Sequence, residues 1–227
     1  MEIKFVEAIK ASPGLLSYGS YALFLDSVGE FDRADECFQK ALQSVSNPKV
    51  DEHTLQNYTL YLGFYGAFLE TSRADPGRAE KQYLAALEYK PNDPLSLGNY
   101  AVMLHRVRKD YKKADVYYKR AIQAHPNHAS ILGKYANFLK HVHHDYEGAE
   151  QFYLKAIAAN PKHADSLGNY AVLLHGVKQD YDKAQKYYQQ AIAAEPEHTN
   201  NLFVSLVCHF VVIDFLFQLL VGTTHYS

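Results

Sequence analysis

The chain has 227 residues, enough for a real core in one or two domains, and 48% of them are hydrophobic. Its 23 Lys+Arg stand against 25 Asp+Glu, so it lacks the concentrated basic face that displaces counterions from phosphates; this argues against nucleic acid and gives no reason for an anionic membrane surface. The two cysteines, Cys37 and Cys208, form no CxxC pair or disulfide framework, and MEIKFVEAIKASPG lacks the basic-then-apolar order of a secretory leader, so a reducing, cytoplasmic setting is expected.

One period organises the rest. Gly63, Gly98, Gly133 and Gly168 are 35 residues apart, as are Pro91, Pro126, Pro161 and Pro196. Self-similarity of this kind sets the whole fold before any local signal is weighed. In chain order, residues 1–13 read as half a repeat, because FVEAIKASP (Phe5 to Pro13) aligns with YKRAIQAHP (Tyr118 to Pro126). Residues 14–47 form the first full repeat, with Tyr21–Ala22, Leu25, Gly29, Phe31, Ala34, Phe38 and Ala41 around the short turn SVGEFDRA. After a break with an Asn47-Pro48 turn signal, residues 48–91 form a second repeat whose first helix is lengthened from Asp51. Its Asp75-Pro76 places an N-cap residue before proline at the first helical position. Residues 92–126, 127–161 and 162–196 form the third, fourth and fifth repeats.

Each repeat carries two helical stripes. Leu97, Tyr100, Ala101 and Leu104 fall at i, i+3, i+4 and i+7, and Tyr111, Ala114, Tyr118, Ala121 and Ile122 make a second stripe. Between them stands Asp110, repeated as Asp145 and Asp180, where a carboxylate accepts from free N–H groups of the second helix. A proline then follows each second helix, which cannot continue through it. Ala101, Ala114 and Ala121 and their counterparts let backbones approach, and Tyr100 and Tyr118 fill the space beside them. The expectation is helix–turn–helix, repeated.

The positions Leu97, Tyr100–Ala101, Leu104, Ala114, Tyr118, Ala121 and Pro126 resemble the tetratricopeptide repeat (TPR) family, with one extra residue in the turn and Leu or Tyr where Trp is frequent. The resemblance implies an all-α, right-handed α-solenoid of stacked antiparallel helix pairs. It implies a scaffold or adaptor without catalysis or cofactor, binding a protein or peptide in a concave groove lined by first helices. By the motif's offsets the groove of the third repeat offers Asn99, Val102, His105 and Arg106. That of the fourth offers Lys134, Asn137, Lys140 and His141, and that of the fifth Asn169, Val172 and His175. The groove is expected to be acidic early, at Asp26 and Glu70, and basic in the middle. Arg and Lys there suit a carboxylate, and Asn suits a peptide backbone. Of the family's carboxylate clamp only Asn99 and Lys134 have echoes; Gly63, Ala67 and Ser130 stand where its other residues belong.

Each glycine inside a first helix costs about 0.5–1 kcal/mol relative to alanine, and close packing or room for a bulky ligand would each account for them. HVHHD (His141 to Asp145) lacks the i, i+4 pair plus third ligand of a helical zinc site, so no metal is expected. Cys37 has no His or Asn partner in view and reads as a packed thiol.

Residues 197–227 break the pattern. PEHTNNL opens a sixth repeat, and then the register is lost in a hydrophobic run. A packing helix, a tail anchor over 202–221 and a read-through of non-coding sequence compete as readings. Asp214 counts against the anchor, since an acid near the bilayer centre costs about 2.5–3.5 kcal/mol. Two rival functions follow: uncapped ends that stack into homo-oligomers, or the repeat arm of a larger enzyme.

Overall fold

A computed structural model describes residues 1–195; the sixth-repeat opening and all three readings of the tail lie outside the described residues. The chain divides after Pro126 into two compact units. The N-terminal unit holds α1 (Glu2–Ala11), α2 (Leu15–Ser27), α3 (Phe31–Gln43), α4 (Glu52–Thr71), α5 (Pro76–Tyr89), α6 (Pro94–Met103) and α7 (Tyr111–Ala124). The described part of the C-terminal unit holds α8 (Ala129–Phe138), α9 (Tyr146–Ala159), α10 (Ala164–Leu173) and α11 (Tyr181–Ala194). No strand occurs among the described residues.

Helices pair in sequence order, α2 with α3, α4 with α5, α6 with α7, α8 with α9 and α10 with α11, and within each unit the pairs stack on their neighbours. The cores follow the small–aromatic alternation of the sequence. Ala101, Ala114 and Ala121 are fully buried beside Tyr118, as are Ala136 and Ala156 beside Tyr153. A methyl is all that fits where helix backbones approach, and the tyrosine rings bring the buried apolar area that stabilises each pair. Of the glycines, Gly19 and Gly133 answer to packing. A Cβ on Gly19 would lie 2.2 Å from the Tyr61 ring, and one on Gly133 would lie 2.5 Å from Ser166 Oγ. Gly63 is different: a Cβ there meets only Ser166's counterpart Ser96, at an ordinary 3.9 Å.

The extra residue of the longer repeats has a definite place. In the first repeat Glu30 N–H donates to the Leu25 carbonyl, an offset of five. In the next four, Asp75, Asp110, Asp145 and Asp180 N–H donate to Leu69, Leu104, Leu139 and Leu174, an offset of six. The same ring closes with one more residue in it. In the last three repeats that residue is absorbed as a π-helical turn, at Leu104–Arg108, Leu139–His143 and Leu174–Lys178, the usual way a helix accommodates an insertion. The chain then leaves through a left-handed residue: Ala74, Lys109, His144 and Gln179 have φ of 52°, 58°, 54° and 55°. The first repeat uses Gly29 at 82°, where no Cβ opposes it. Asp75, Asp110, Asp145 and Asp180 then cap the second helices by accepting from Arg78, Lys113, Gly148 and Lys183 N–H, as their spacing suggests.

Polar staples join successive pairs. Tyr21 and Arg33 both donate to Glu2, each at 2.6 Å. Tyr65 donates to Asp35 at 2.5 Å, and Arg78 grips the same carboxylate with two N–H groups at 2.8 and 2.9 Å. Tyr100 and Arg108 repeat this on Glu80. In the C-terminal unit Tyr170 donates to Glu150 at 2.8 Å, with Lys178 Nζ 3.1 Å away. Each staple is an acid from one second helix, a tyrosine from the next first helix and a cation from that tyrosine's own repeat. Asp35 is the most enclosed, 8% exposed. Burial alone would raise its pKa, but hydrogen bonds from Arg78, Tyr65 and Gln39 prevail and hold it at about 2.

Candidate functional site

The polar residues of the first helices recur at fixed positions. Seven residues after each repeat's glycine stand Asp26, Glu70, His105, Lys140 and His175. At this position Glu70, His105 and Lys140 meet the central tyrosine of the paired second helix, Tyr83, Tyr118 and Tyr153. Where it finds a partner depends on the residue.

In the N-terminal unit all three are satisfied. Asp26 accepts from Ser72 Oγ at 2.7 Å, Glu70 accepts from the Tyr83 hydroxyl at 3.2 Å, and His105 Nδ1 lies 3.1 Å from the Tyr118 hydroxyl. In the C-terminal unit the arrangement changes. Asn137, one turn earlier on α8, accepts from the Tyr153 hydroxyl at 2.5 Å. Lys140 is left with the ring alone, its Nζ 6.0 Å from the Tyr153 centroid, the outer range of a cation–π contact. The residue is 6% exposed, and among the described residues its ammonium has no hydrogen bond or ion pair. Burial accordingly pulls its pKa below the ordinary lysine value. One repeat on, His175 sets its ring edge-on to Tyr181, and its buried Nδ1 has no hydrogen-bond partner.

The other expected groove residues divide as follows. Asn169 is half-buried, and its carboxamide has no hydrogen bond among the described residues. Val172 is 44% exposed, Arg106 and His141 are exposed, and Val102 is half-buried. Asn99 and Lys134, the two echoes of the clamp, are half-buried and already engaged within the protein. Of the basic residues expected in the middle of the groove, Arg106 and His141 are thus exposed and Lys140 is buried. Sequence reasoning missed Tyr153, whose hydroxyl occupies Asn137 and leaves Lys140 unpaired; the Asn at 137, where Val102 and Val172 stand in the neighbouring repeats, was the available signal.

The remaining chemistry is sparse. Cys37 is buried on α3, which raises its thiol pKa. In HVHHD, His143 packs edge-on against Phe138 and His144 is the left-handed residue of the turn. Among the described residues no three His, Cys, Asp or Glu side chains converge as metal ligands, and no helix is long and apolar enough to cross a membrane.

Two family models match: TmcB, TPR repeats, over residues 92–160, and tetratricopeptide repeat over residues 152–186. Among solved structures the chain is similar to yeast Tom70, with a TM-score of 0.72 and 16% identity over 100% of this chain and 46% of that one. It is similar to the APC/C hetero-tetramer Cut9–Hcn1, with a TM-score of 0.68 and 14% identity over 92% of this chain and 38% of that one. PilF of Pseudomonas aeruginosa gives a TM-score of 0.64 and 18% identity over 95% of this chain and 92% of that one. The chain thus spans less than half of the first two and nearly all of the third; at these identities the likeness is one of fold. No curated protein matches by sequence. The fold is a general scaffold for protein–protein interaction, and over residues 92–186 repeats, small–aromatic cores and family models agree on tetratricopeptide repeats.

Proposed function

We propose that the protein is a non-catalytic interaction scaffold that takes an extended segment of a partner protein on its first helices, and that the binding groups concentrate on α8, α10 and the π-helical turns that continue them. The observation that carries this reading is the set of unsatisfied polar groups there. Among the described residues Lys140, the Asn169 carboxamide and His175 Nδ1 have no hydrogen-bond partner, whereas Asp26, Glu70 and His105 in the N-terminal unit have theirs. A buried polar group left unpaired costs about 1–3 kcal/mol; a ligand that supplies the missing partners recovers that cost on binding. Asn169 is suited to a peptide backbone, since its carboxamide both donates and accepts. Val172 beside it gives an apolar contact.

The test is to pan a short-peptide display library on the full chain and on the double variant Asn169→Ala, Val172→Asp. Enrichment on the full chain that disappears in the variant supports the reading. Equal enrichment on both puts the binding surface elsewhere. No enrichment on folded protein contradicts peptide binding and favours self-assembly, which light scattering then detects.

A further inference from the structure

The environment of Lys140 specifies more than a partner. An ammonium this enclosed is costly without a counter-charge, and among the described residues none reaches it. A methionine of similar length would fill the same space without that cost. The ammonium is nevertheless not sealed in: the buried unpaired atoms of the described residues do not include its Nζ, so it keeps some contact with solvent.

The neighbouring groups are oriented as well. The Tyr153 hydroxyl donates to Asn137 Oδ1, which fixes that carboxamide with its oxygen toward the tyrosine. Its Nδ2 therefore points the other way, and among the described residues it donates to nothing. Asn137 on α8 and Lys140 in the π-helical turn that continues it converge on one residue, Asn137 at the Tyr153 hydroxyl and Lys140 over the Tyr153 ring. Together they present N–H donors only, with the Tyr153 ring as one wall. One repeat further, at the position equivalent to Lys140, His175 adds a second nitrogen without a partner.

Resting on the reading that α8 and α10 take a partner's chain, we propose that Lys140 and Asn137 form a subsite for a single carboxylate, the side chain of a Glu or Asp in the bound segment. A carboxylate accepts from both donors at once and supplies the charge that the ammonium lacks. The subsite contains one cation and no guanidinium fork, which matches a singly charged carboxylate better than a phosphate dianion. It does not draw on the clamp echoes Asn99 and Lys134, which are already engaged.

The experiment uses two short-peptide libraries that are identical except for a fixed central Glu or Gln. Each is titrated onto the full chain and onto Lys140→Met, Lys140→Gln and Lys140→Arg, with helicity checked by circular dichroism. The Glu library is expected to bind the full chain about tenfold tighter than the Gln library, the scale of one charge-assisted contact. Lys140→Met and Lys140→Gln should lose that preference while retaining the Gln library, and Lys140→Arg should keep part of it. Equal binding of the two libraries overturns the subsite and leaves the peptide-binding reading standing. A Glu preference that survives in both neutral variants overturns it too. If neither library binds the folded full chain, both proposals fall.

Discussion

The two units solve the same local problem in different ways. At the first-helix position seven residues after each repeat's glycine, the N-terminal unit places Asp26, Glu70 and His105, and each meets an internal partner. The C-terminal unit places Lys140 and His175 there; Asn137 takes the Tyr153 hydroxyl, and both are left with unsatisfied nitrogens. The scaffold is the same in both, with alanines at the helix contacts, tyrosines in the cores and acid–tyrosine–cation staples between pairs. A repeat array can therefore hold its architecture constant while single side chains, such as asparagine at 137 where the neighbouring repeats have valine, change which polar groups are paired.

The comparison can be broken most severely at the staples. Asp35→Asn in the N-terminal unit should cost about 2 kcal/mol by urea denaturation, because it removes a buried charge from beneath a two-pronged arginine. Glu150→Gln, the equivalent change in the C-terminal unit, should cost about half as much, since that staple rests on a lysine and a more open carboxylate. Equal losses would show that the two staples are equivalent.

Acid tests the same difference without mutation. Asp35 has its pKa lowered from 3.8 to about 2 on folding. Its contribution is thus fully present above pH 3.8 and is lost as the pH falls through about 2; the shift corresponds to about 2 kcal/mol. The Asp35→Asn variant should show a shallower loss of stability across that window than the parent chain.

The glycines sharpen the account in opposite directions. Gly19→Ala drives a methyl into the Tyr61 ring and should destabilise by about 1–3 kcal/mol. Gly63→Ala places a methyl at ordinary contact distance, 3.9 Å from Ser96 Oγ, in a helix interior and should stabilise by about 0.5–1 kcal/mol. Thermal melts of the pair, taken together, separate packing glycines from those without such a contact. The smallest effect is expected at the turn. His144→Gly relieves a left-handed residue with φ 54° and should stabilise by roughly 0.5 kcal/mol.

These contrasts also mark what the sequence made legible. The period, the helix pairs and the aspartate caps could be read because each is a local steric or hydrogen-bonding demand repeated at fixed spacing. The extra residue was visible as a length, but its conversion into a π-helical turn depends on which carbonyl each N–H finds, and spacing does not report that. The staples were hidden for a similar reason. Glu80 and Tyr100, or Glu150 and Tyr170, are twenty residues apart on different helices, and neither residue type announces the other. Lys140 was assigned to a groove position by the motif's offsets, and a periodic pattern puts such a lysine on the solvated face. Its burial follows from packing, and its lack of a partner follows from the hydroxyl of Tyr153 being taken by Asn137.

The most direct measurement is the thermal unfolding of Lys140→Met beside the parent chain, both free of ligand. If the ammonium is an interior charge kept for a partner, its removal should raise stability by about 1 kcal/mol, a few degrees in Tm. A lower Tm in the variant would mean that Lys140 supports the fold through contacts of its own, and would contradict the claim that it is held unpaired for a ligand.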